Sequence, residues 1–179
     1  LTDAMDRFQA GELADAQGLP EGQDEALLEQ KLTLSDPESL LAASAWQAKL
    51  LRSDNDLQRL AYRTATRLIR HAVVHAEFAI NADRLPCDPD AAFEAIDDGI
   101  MEALEESDDA FFSWSLVLEF ERGAPASESL SALKAWRDAA GERLCAVALV
   151  GDENVNADSF EQVVAGARSD GLSVAVQAG

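Results

Sequence analysis

Histidine is nearly missing from this sequence: His71 and His75 are the only two in 179 residues. A catalytic zinc centre takes about three protein ligands and keeps a position for water, so these two side chains do not make one. Lysine is almost as rare. Lys31, Lys49 and Lys134 are the whole complement, and the formal net charge is −20. A chain this acidic lacks the Lys and Arg clusters that grip a phosphate backbone, which excludes nucleic acid as its partner. The charge reads instead as a solvated surface that keeps the protein soluble. Cysteine is limited to Cys87 and Cys145. Two isolated thiols give neither a disulfide framework nor a Cys-based zinc site, and Cys145, inside an apolar run, reads as a core residue. No stretch approaches the roughly 18 apolar residues of a membrane span, and no signal-peptide pattern opens the chain. The expectation is a cytoplasmic protein with no membrane partner.

What is present is a folded, alternating chain. Apolar residues make up 47% of it, enough for a real core. Thr2-Asp3 is placed to cap a first helix carrying Met5, Phe8 and Leu13. Residues 21–32 form a weakly amphipathic segment. Ser35-Asp36-Pro37 starts another helix, with Leu40, Leu41, Ala45, Ala48 and Leu51 as its apolar face. Ser53 to Asp56 opens a helix whose buried stripe is Leu57, Leu60, Ala61, Thr64, Leu68 and Ile69. Asp88-Pro89 opens one with Phe93, Ile96, Ile100, Met101 and Leu104 inward, and Ser127 begins one with Leu130, Leu133 and Trp136. Strands are expected at about 72–81, 114–122, 145–150 and 172–176. The acidic outer face of the Asp88 helix lacks the spacing of a calcium loop and reads as solvated surface.

The stretch from Cys145 to Gly179 organises the rest. The apolar run Cys145 to Val150 is too short for a helix and breaks at Gly151-Asp152-Glu153. A helical pattern follows, with Phe160, Val163, Val164 and Ala167 at spacings of three and four. Asp170-Gly171 stops it, and Leu172 to Val176 is a second buried-type strand. This is a strand–helix–strand unit of the parallel kind. Both strands therefore send their C-terminal ends, Gly151-Asp152-Glu153 and Gln177-Ala178-Gly179, to one edge. In α/β folds that edge carries the chemistry.

At these residues the chain resembles the adenosine deaminases, zinc hydrolases of the amidohydrolase superfamily. That family shows a strand ending in Gly-Asp-Glu, a helix ending in Ala-Arg-x-x-Gly-Leu, and a strand running into His-Ala-Gly-Glu. Gly151-Asp152-Glu153, then Ala167-Arg168-Ser169-Asp170-Gly171-Leu172, then Gln177-Ala178-Gly179 follow the same order. Val74-His75-Ala76-Glu77 resembles the family's Val-Tyr-Ala-Glu, and Arg122 matches an Arg that ends the next strand. The likeness runs over about residues 56–179. It implies a (β/α)8 TIM-barrel type of α/β fold, of which this chain supplies four parallel strands, the barrel's second to fifth. A complete barrel takes about 250 residues, and the chain starts at Leu1, so it reads as part of a longer product. As a domain it is one unit, 1–179, with a helical segment at 1–55 and β/α repeats at 56–179.

The resemblance also implies a chemistry and a set of departures. Deamination of a purine nucleoside replaces an amino group by oxygen at a ring carbon. In the family a zinc-bound water supplies the oxygen and a carboxylic acid protonates the ring. The family's zinc-ligand His of His-Ala-Gly-Glu is replaced here by Gln177, a poor zinc ligand. The other family ligands fall outside the sequence. No catalytic residue and no metal ligand is assigned, and zinc is implied by the family without support from this chain. Gly151, Asp152 and Glu153 are the candidate substrate-binding residues, since the family's Gly-Asp-Glu turn lies beside the purine; an ordinary strand-to-helix turn is the equal alternative. His75 and Glu77 fall on one strand face. They line a barrel lumen near a site or, the favoured reading, form a buried pair satisfied by hydrogen bonds. Two functions stay open: a deaminase-like hydrolase, or a non-catalytic degenerate barrel used for binding or assembly. The open strands at 72–81 and 172–176 call for cover by a second copy or by the remainder of the same chain.

Overall fold

A computed structural model describes residues 5–107, 111–152 and 154–176. The chain folds as two compact units, one of Leu1–Ala72 with Arg84–Ala110 and one of Val73–Asp83 with Phe111–Gly179.

The first unit is helical. Helices α1 (Arg7–Ala16), α2 (Pro20–Gln23), α3 (Glu25–Leu32), α4 (Pro37–Leu50), α5 (Asp54–Arg70) and α6 (Pro89–Glu105) follow one another. Short polar side chains set their starts by accepting orphan backbone N–H groups. Asp6 and Gln9, Asp36 and Ser39, and Ser53 and Asp56 form reciprocal capping boxes, and Asp88 caps α6 ahead of Pro89. Asp6 thus takes the capping role read for Thr2-Asp3, which lie outside the described residues. Asp24 caps α3 through Ala26, so the weakly amphipathic segment is two helices.

Helix α5 packs along α6 at the closest approach backbones allow. A Cβ on Gly99 would lie 2.3 Å from the Gln58 carbonyl oxygen, so glycine is required there. Leu57, Leu60, Ala61 and Thr64 of α5 are buried as the spacing predicts, as are Ile96 and Ile100 of α6, whereas Met101 is exposed. Two other expectations fail. Phe8 is 71% exposed, and Leu40 and Leu41 of α4 face solvent. The buried side of α4 instead includes Ser44 and Gln47. Gln47 Nε2 donates to the Met5 carbonyl at 3.0 Å and Ser44 Oγ accepts from Arg84 at 2.9 Å. Satisfied polar groups can occupy a core face, and apolar periodicity does not register them.

The second unit is the sheet. Strands β1 (His75–Asn81), β2 (Ser113–Glu121), β3 (Leu144–Val150) and β4 (Ser173–Val176) lie in the order β1-β2-β3-β4, with α7 (Ala126–Ala140) and α8 (Phe160–Ser169) between the later ones. All pairings are parallel. This is the α/β arrangement of a (β/α) barrel, four of its strands being present. The first strand begins three residues later than expected because Ala72 takes a left-handed φ of 57° to end the turn after α5.

One sheet face carries the large residues Phe78, Ile80, Trp114, Leu116, Leu118, Phe120, Val147 and Leu149, all buried. Helices α7 and α8 bring Leu133, Trp136, Phe160 and Val163 to the same core, with the Phe120 and Phe160 rings 6.3 Å apart. The alternating face is small and polar. Register aligns Ala79 with Val117, Val117 with Ala146, and Ala148 with Ala175, and places Glu77 beside Ser115 and Asn81 beside Glu119. His75 and Glu77 sit on this face and are exposed, not a buried pair; the close contact of His75 is Nδ1 to Ser113 Oγ at 2.9 Å. Among the described residues no helix is long and apolar enough to cross a membrane.

Candidate functional site

Parallel pairing brings the ends of β1, β2 and β3 to one edge, with Asn81, Glu121 and Gly151 at or just past the strand ends. The backbone N–H of Arg122 donates to the Val150 carbonyl at 3.0 Å, carrying the β2–β3 pairing one step past Glu121. Gly151 then turns the chain with φ of +100°, a conformation that L side chains rarely adopt. Among the described residues, a Cβ there would meet Arg122 N at an ordinary 3.6 Å. The glycine is needed at the strand end for its torsion.

Asp152 pins the turn. Its Oδ1 accepts the Asn154 backbone N–H and the Asn154 side-chain amide, both at 2.9 Å. Hydrogen bonds to the ionised form favour it, so the Asn154 N–H, then the Asn154 amide, then more weakly the Arg122 guanidinium hold this carboxyl below its usual range. The next turn repeats the device, with Asn156 Oδ1 accepting the Asp158 N–H at 2.7 Å. The Asp152 carboxylate is therefore engaged in shaping the turn. Glu153 and Gln177 lie outside the described residues.

A further pair was invisible to motif reading. Asn81 ends β1 and Glu121 ends β2, and Asn81 Nδ2 donates to Glu121 Oε1 at 3.2 Å. The available signal was a polar residue closing each of two apolar strands on the same face. Arg122 points the other way, into a cleft lined by Leu149, Phe160, Val164, Arg168 and Val176.

Among the described residues no three His, Cys, Asp or Glu side chains are grouped to hold an ion. His75 opens β1 and so lies at the opposite edge of the sheet, while His71 caps the C-terminus of α5. Among the described residues at the C-terminal edge, Asn81 bonds Glu121 and Asp152 bonds the turn.

Comparison with known proteins places the chain. No curated protein matches it. Among solved structures it is similar to a zinc-bound amidohydrolase from Burkholderia ambifaria, with a TM-score of 0.84, 20% identity and coverage of 99% of this chain and 50% of that one. An adenine deaminase from Arthrobacter aurescens superposes with a TM-score of 0.75 at 22% identity, covering 99% of this chain and 55% of that one. The N6-methyl-AMP deaminase of Arabidopsis thaliana gives 0.76 at 14% identity, with 97% and 52% covered. The chain thus spans about half the length of the structures it matches, and these likenesses speak for the fold. The adenosine deaminase family model matches residues 9–179, nearly the whole sequence, and the chain belongs to that family.

Proposed function

We propose that this chain serves hydrolytic deamination of a purine nucleoside, and that the C-terminal edge of its sheet is the purine-facing part of the site. The observation that carries the reading is the Gly151 turn. Its φ of +100° calls for a residue without a side chain at the end of a barrel strand, and Asp152 holds the turn through Asn154. A flat base approaches such backbone where any Cβ would stand in its way. In this reading Gly151 contacts the base, Asp152 orders the turn, and Glu153 is assigned to substrate binding by its match to the family's Gly-Asp-Glu alone.

The reaction exchanges an amino group for a water oxygen and releases ammonia. The groups that activate water are not assigned to this chain's described residues, and zinc is not assigned to them either. The outer edges of β1 and β4 are covered by other protein, either the rest of a longer chain or a second copy, and the setting is cytoplasmic. The same lack of ligands, with Gln177 at the family's His position, favours a second reading: a non-catalytic barrel that binds purines or assembles with a partner.

Ammonia release separates the two. The protein expressed from its whole gene is to be incubated with adenosine, adenine and AMP. Release from adenosine supports the hydrolase. Inosine binding without ammonia from any of the three supports the binding module, and neither binding nor release overturns the purine reading.

A further inference from the structure

Gln9 is 5% exposed and lines a cavity of about 350 Å³ between α1 and α5. Its Oε1 accepts the Asp6 backbone N–H at 3.1 Å, closing the box that caps α1. A backbone N–H needs an acceptor, so this bond decides which end of the amide is oxygen. The NH2 end plays no part in the cap, since glutamate closes such boxes equally well. Among the described residues that NH2 has no hydrogen-bond partner, although a donor on so buried a side chain calls for one. The charges around the cavity are partly engaged. Arg63 Nη1 meets Glu12 Oε2 at 2.7 Å, and Asp56 Oδ2 accepts the Arg52 and Ser53 N–H groups at the start of α5. Arg59 and Asp15 line the same cavity, and among the described residues neither has an ion pair. The contacts of Asp6 with Arg67 at 4.0 Å and of Glu12 with Arg63 show that α1 and α5 run antiparallel. About one turn on from Glu12 is Asp15, and one turn back from Arg63 is Arg59. An anion and a cation therefore come to one level on opposite walls. Leu13 and Leu60 make the lining beside them apolar.

We propose that this cavity binds a free α-amino acid whose side chain ends in a hydrogen-bond acceptor. Its carboxylate takes Arg59, its ammonium takes Asp15, its aliphatic stem lies on Leu13 and Leu60, and its acceptor meets the Gln9 NH2. A zwitterion suits the two walls because a simple anion meets Asp15 and a simple cation meets Arg59. The site shares no residue with the purine reading and stands or falls apart from it.

The probe is L-glutamine, titrated calorimetrically against the protein expressed from its whole gene. It binds about tenfold or more tightly than L-leucine, which has the stem without the acceptor. It also binds about tenfold or more tightly than glutaramate, the same molecule without its amino group. Gln9→Glu keeps the capping oxygen and the unfolding midpoint but removes the donor, and L-glutamine binding falls about tenfold or more. Asp15→Asn, at an exposed position, brings L-glutamine and glutaramate to within about threefold of each other. No binding of L-glutamine, equal binding of L-leucine, or a Gln9→Glu protein that binds as the wild type does overturns the assignment. Should Gln9→Glu lower the midpoint, Asp15→Asn decides: an unchanged preference for L-glutamine over glutaramate refutes the site.

Discussion

Gly151 and Asp152 divide the work of one turn between torsion and charge. Gly151→Ala forces a Cβ into a left-handed φ, and that strain costs about 1–3 kcal/mol in a denaturant titration. An unchanged midpoint would show that the turn relaxes to another shape. The Asp152 carboxyl is held below its ordinary value by Asn154, so its contribution is present above the unfolded value near 3.9 and is lost as pH falls through the lower folded value. The Asn154 amide should therefore keep its hydrogen-exchange protection at pH ~4 and lose it only in stronger acid. Loss at or above the ordinary range contradicts the bond. Cys87 behaves oppositely. Burial, with Asp54 and Asp88 nearby, raises its thiol, so it reacts with a thiol reagent at mildly alkaline pH more slowly than free cysteine; equal rates would refute that environment.

At the scale of elements, the sequence was most informative where a single rule governed the local structure. Ser53, Asp36 and Asp88 announced helix starts, and Gly-Asp-Glu announced the end of β3, because caps and turns are local chemistry. Reading failed where distant partners decided. Ser44 and Gln47 turn α4 because Arg84 and Met5 bond them, and nothing within α4 shows this. His75 and Glu77 looked like a buried pair because alternation names a face without saying what covers it. Asn81 and Glu121 are 40 residues apart, and only strand register brings them together. Close helix contact is likewise legible only in three dimensions. Gly99→Ala puts a methyl 2.3 Å from the Gln58 carbonyl, a backbone atom that no rotamer can move. The helices must part, for about 3 kcal/mol or more. Gly11→Ala in α1 meets, among the described residues, the flexible Leu28 Cδ2 at 3.1 Å, and better helix propensity offsets that crowding. Comparing the two melting temperatures checks the claim: a sharp fall for Gly99→Ala and little change for Gly11→Ala, with equal shifts counting against it.

At the scale of the whole molecule, the sheet decides how the chain can exist. It has one large apolar face and one small polar face, and among the described residues no strand pairs with the outer edges of β1 and β4. Parallel strands are normally buried on both faces. Neither edge strand contains the Lys or Pro that guards natural edges. Light scattering on the 179-residue chain should accordingly give a mass above the 19.2 kDa of one copy, and a stable monomer with both edges in water would sink that expectation. The central proposal is a separation of roles, in which this stretch of an adenosine deaminase-family barrel supplies the purine face and other residues supply the metal ligands. Zinc content tests it most directly. Purified chain, loaded with excess zinc and dialysed, is measured by atomic emission. The account predicts far less than one zinc per chain; one tightly held zinc per chain would contradict it.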